Sequence, residues 1–142
     1  MVTRSWHKYW LFIFIVFNSC TSKPLIPISD TLETSLHENY SNYVLLLNKS
    51  INGDTTALNE FLIINNIYDV AGYDHGWVLI ELMKKLGDKQ FSNGIAKLNS
   101  KQFSNLKEYF RVGLDENSQT LKLSKSYPIT FNLFKFTEKE LS

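Results

Sequence analysis

The chain of 142 residues holds one cysteine, Cys20, so no disulfide can close within it and no cysteine-based metal site can form. It also lacks a charge excess: 15 Lys and Arg stand against 14 Asp and Glu, for a net of +1. So weak a field recruits neither nucleic acid nor a strongly charged partner. No apolar run is long enough to span a bilayer. The strongest, residues 9–17, covers about 13 Å as a helix, against a hydrocarbon core of ~30 Å. The chain has no phosphate-binding glycine loop and no Gly-x-Ser-x-Gly elbow. Self-similarity at a period of about 34 or 40 residues is missing too, which leaves a repeat solenoid as a minor alternative. What is present is the composition of one globular domain, 44% hydrophobic and 20% charged.

The amino-terminal end has a three-part layout. Arg4 and Lys8 precede the apolar run, and Asn18, Ser19 and Cys20 follow it. A charged segment, a short apolar core and a small residue before a cut form a secretory signal. Phe17-Asn18-Ser19-Cys20 resembles the lipobox of bacterial membrane lipoproteins. The resemblance implies cleavage between Ser19 and Cys20, a diacylglyceryl group on the Cys20 sulfur and commonly a further acyl chain, such as palmitate, on the new amino terminus. No other cofactor is expected. Lipidation would consume the lone thiol, and two or more chains hold firmly because each buried methylene contributes ~0.8 kcal/mol. Loss of residues 1–19 removes Arg4 and Lys8 and no acids, leaving 13 basic against 14 acidic residues. The expected organisation is a signal at 1–19, a lipid-anchored tether at 20–29 and one domain at 30–142. Pro24 and Pro27 favour an extended tether, reaching roughly 30 Å. No acidic cluster follows Cys20, which favours the periplasmic face of the outer membrane over the cell surface.

From Asp30 onward the apolar positions recur at helical spacing. One helix is expected over residues 31–49, with Leu32, Leu36, Tyr40, Tyr43, Val44 and Leu47 on a stripe and Ser29 or Asp30 as its cap. Asn52-Gly53-Asp54 ends it, and Asp54 or Thr55 caps a second. A third is expected from Asp74 to Gly87, with Asp88 as the next N-cap. A fourth covers residues 89–98 and a fifth follows Ser100. Residues 128–136 alternate like a strand but also keep helical spacing after Pro128, and no second strand offers a partner, so a helix is expected. The fold class is all-α: a bundle or array of five to six short helices. In general look residues 30–142 resemble small bacterial lipoproteins.

The densest chemistry lies in residues 68–83, YDVAGYDHGWVLIELM. Asp69, Asp74 and His75 are candidates for a metal site or an acid–base pair, which would make the chain a small metal-dependent hydrolase. Helix capping alone accounts for the same residues, with Asp74 as N-cap, His75 and Gly76 in an exposed first turn and Trp77 packed. Adjacent residues on a helix also point about 100° apart, a poor ligand spacing. His37 and Glu38 are weaker metal candidates. Tyr68, Asp69, Tyr73, Asp74, His75 and Trp77 make a candidate binding patch, since Tyr and Trp dominate interface hot spots. A lipid-anchored binding module, for example an immunity or inhibitor protein with a protein partner at the membrane, is favoured over an enzyme.

Overall fold

The computed structural model describes residues 22–115 and 120–136. The signal, Ser19 and Cys20 lie outside the described residues. Eight α-helices are found among them, with no strand, so the protein is all-α with more helices than expected.

Helix α1 (Asp30–Leu36) begins at Ser29, whose hydroxyl accepts from the Leu32 amide at 3.1 Å. The single helix expected over residues 31–49 does not form. His37 takes φ 47° and ψ −123°, a 3₁₀ turn follows at His37–Asn39, and α2 runs Tyr40–Ile51. The break lets α1 pack chiefly on α4 while α2 packs chiefly on α3. One straight rod could not serve both. Helix α3 (Thr55–Leu62) starts as expected at Asp54, which accepts from the Thr56 and Ala57 amides at 2.9 and 3.0 Å.

Helix α4 (Asp69–Leu86) starts five residues before the expected Asp74, after an extended Tyr68. Asp74 is therefore not a cap, and His75 and Gly76 are buried mid-helix residues instead of an exposed first turn. Gly87, at φ 79°, ends α4 and donates to the Met83 carbonyl at 2.8 Å. Asp88 does not cap its own helix, α5 (Asp88–Ile95). Its carboxylate accepts from the Ile129 and Thr130 amides, each at 2.8 Å, and so caps a helix about 40 residues away. Helix α6 (Ser100–Asp115) opens with a capping box. Asn99 accepts from the Gln102 amide, and Gln102 accepts from the Asn99 amide, both at 3.0 Å. The short α7 (Thr120–Ser126) was not expected. In α8 (Pro128–Phe134) the first-turn proline fixes the helical alternative.

Phe61, Tyr43 and Leu47 fill one end of the core, while Phe91, Phe110, Phe131 and Phe134 fill the other. Segment 20–29 is only partly a tether. The chain bends at Leu25 and Ile26, and Ile26 is 1% exposed between an exposed Leu25 and Pro27. The Asn48 side chain clamps it, accepting from the Leu25 amide at 2.9 Å and donating to the Lys23 carbonyl at 3.0 Å. Residues 23–28 are thus laid on the body, and the ~30 Å reach expected of a free polyproline-like segment does not apply to them.

Candidate functional site

Helices α4 and α6 form the most extensive helix pair and meet at two glycines. A Cβ on Gly76 would lie 2.2 Å from the Tyr109 carbonyl oxygen, and one on Gly113 would lie 2.3 Å from the Gly76 carbonyl carbon. Only hydrogen side chains allow backbones this close. The crossing turns the preceding residue, His75, into the core. Its Nδ1 lies 2.8 Å from the Tyr43 hydroxyl, and its ring packs at 4.9 Å from Tyr109 and 5.8 Å from Phe61. Complete burial lowers the His75 pKa to about 3, so the ring is neutral near pH 7. Burial, and then the nearby Asp74 charge, push the Tyr43 hydroxyl well above its usual value.

This geometry disperses the candidate catalytic set. Asp69 is exposed, at φ 53°; Asp74 is half-buried and accepts a hydrogen bond from the Ser29 hydroxyl; His75 faces the interior. His37 and Glu38 are exposed in the 3₁₀ turn, away from His75 in the core. Among the described residues no group of three His, Cys, Asp or Glu side chains could hold a metal ion. The donors nearest to that chemistry do not converge.

The candidate patch divides. His75 is internal, Trp77 is half-buried against the core, and Asp74 is half-buried against the start of α1. Tyr68 and Tyr73 remain open, 68% and 41% exposed, with Asp69 between them. Val70, 62% exposed, completes this face. Sequence reading passed over it because a lone valine at helical spacing looks like core.

Just before this face, the loop joining α3 to α4 forms a ridge. Tyr109 pins it from below: its hydroxyl donates to the Ile67 carbonyl at 2.9 Å and lies 3.1 Å from the Ile67 amide that donates to it. Asn66 adopts φ 65°, and the Tyr68 hydroxyl donates to the Asn66 side chain at 3.1 Å. A cleft of about 460 Å³ opens on one side, with Asn39, Asn42, Glu60, Asn65 and Asn66 among its walls. Leu36, Tyr43, Leu46 and Ile67, all buried, form its floor. On the other side lies a smaller cleft of about 370 Å³, where Lys101, Asn105 and Glu108 face the ridge. Sequence reading missed both clefts. The available signal was the local density of asparagine around residues 39–42 and 65–66, which carries no spacing rule.

Comparison with protein families, curated proteins and solved structures found no match. Among the described residues no helix is long and apolar enough to cross a membrane.

Proposed function

We propose that the chain is a lipid-anchored binding module, held through Cys20 at the periplasmic face of a bacterial outer membrane, and that the ridge at residues 65–73 meets a protein partner. The observation that carries this is the combination on one face: a loop held rigidly by Tyr109, the exposed Tyr68, Val70 and Tyr73, and a polar cleft alongside. Preorganised aromatic anchors bind without a large ordering cost. A role as an immunity or inhibitor protein, neutralising a toxin or enzyme near the membrane, is the specific version this surface suits. The lone cysteine after a signal layout supports the anchor.

Two measurements test the reading. Intact mass of membrane-extracted protein should match residues 20–142 plus acyl chains; an unmodified Cys20 overturns the anchor. Affinity capture from solubilised membranes should recover one reproducible partner, lost with the double variant Tyr68→Ala, Tyr73→Ala. Capture of the same proteins by that variant rejects the ridge as the binding face.

A further inference from the structure

The larger cleft has a chemistry of its own, and we infer that it takes a peptide segment in which a basic residue is flanked by aliphatic ones. This deepens the binding-module reading and rests on it. Four carboxamides, Asn39, Asn42, Asn65 and Asn66, line the cleft, and each offers both donors and an acceptor. Such a lining suits a ligand that carries both kinds of group along its length, as a peptide backbone does.

Charge narrows the ligand further. Glu60 is the only ionisable carboxylate on the lining, and neither lysine, arginine nor histidine contributes to it. Anionic ligands therefore find no counter-charge, whereas a lysine or arginine side chain finds Glu60. Beside Glu60 in space along the same lining stand Ile63, 39% exposed, and the half-buried Ile64, which give aliphatic neighbours an apolar surface. A saccharide would need an aromatic face to stack on. Tyr43, the single aromatic residue of this lining, is 2% exposed, with its hydroxyl turned inward to His75. The cleft also has its walls fixed in advance. The Tyr109 hydroxyl bonds both the amide and the carbonyl of Ile67, which holds the wall at residues 65–67 in place.

The test uses the full chain, immobilised in detergent with its anchor, and a randomised nine-residue peptide library displayed on phage. Selected peptides should share a Lys or Arg beside Val, Ile or Leu. Their affinity should fall at least tenfold with Glu60→Lys and rise severalfold with Asn42→Asp, which adds a second carboxylate to the wall. Glu60 and Asn42 are both exposed, so thermal unfolding should move little in either variant. Peptides without a basic residue, or equal binding to wild type and Glu60→Lys, overturn the inference. If those peptides instead lose binding with Tyr68→Ala and Tyr73→Ala, the ridge reading stands and the cleft assignment falls. An empty selection overturns the peptide assignment as well, and the membrane capture then decides the binding-module reading independently.

Discussion

Replacing Gly113 by alanine puts a methyl carbon 2.3 Å from the Gly76 carbonyl carbon, 2.6 Å from its oxygen and 2.7 Å from the Trp77 nitrogen. All three are backbone atoms of α4, so no rotamer change relieves them. Ordinary contact begins at about 3.4 Å, so α6 must withdraw by roughly 1 Å along the crossing. A gap of that size forfeits a quarter to a half of each pairwise attraction of ~0.1–0.2 kcal/mol. Over the 40–60 contacts of one large buried side chain this amounts to roughly 2–3 kcal/mol. Several such side chains, including Leu79, Leu106 and Phe110, are fully or almost fully buried on these two helices. Against the loss, alanine in a helix gains about 1 kcal/mol over glycine. Loss of about two such side chains' worth of contact, less that gain, gives an expected net destabilisation of about 3–5 kcal/mol, a large share of what a domain of this size possesses. Gly94→Ala is the internal control. It has the same helix-propensity gain, but its methyl meets side-chain atoms alone, Leu62 Cδ1 at 2.8 Å and Leu58 Cδ2 and Cγ at 3.1 and 3.3 Å, which can shift where backbone cannot. Urea unfolding followed by circular dichroism should place Gly94→Ala within about 1 kcal/mol of wild type. Equal stability of the Gly113 and Gly94 variants would refute the close crossing.

Other consequences are as direct. Because burial holds the His75 pKa near 3, below the ~6.5 of an unfolded chain, the unfolded state binds a proton there that the native state refuses. Its contribution is intact above pH 6.5 and lost as pH falls toward 3, at about 1.4 kcal/mol per pH unit. His75→Gln should flatten this part of the stability profile in acid titrations; an unchanged slope would show that His75 does not cause it. Asp88→Ala should cost about 1–2 kcal/mol and speed amide exchange at Ile129 and Thr130 more than elsewhere. Asp88→Asn should retain part of that protection, since its side-chain oxygen still accepts. Asn48→Ala should leave the helices intact yet accelerate exchange of the Leu25 amide by about tenfold, read by hydrogen exchange; equal protection would mean the segment is held by Ile26 alone.

Sequence signals with a local cause were legible. The Asp54 cap depends on two amides within three residues, and Pro128 sets its own φ, so both follow from short stretches of chain. Signals decided at a distance were not. Asp74-His75-Gly76 has the composition of a helix start, and it becomes a buried helix interior because Gly113 and Tyr43 lie across from it in space. The apolar stripe runs unbroken through His37, where the packing of α1 on α4 and of α2 on α3 imposes the break. Asp88 looked like a cap and is one, but for α8. The candidate site was legible as far as Tyr68 and Tyr73. The cleft beside them was not, because its walls come from two separate stretches of chain, residues 35–46 and 60–67.

The docked segment at residues 23–28 redraws the edge of the folded unit. A protein trimmed to its helices at Asp30 would lose the side chain that fills the Ile26 socket and strip the Asn48 amide of both its partners. Soluble versions should therefore begin no later than Lys23. In the proposed anchored form only Thr21 and Ser22 lie between Cys20 and Lys23, a span of at most about 10 Å at full extension. A leash that short would keep the domain close to the lipid headgroups, searching for partners in two dimensions.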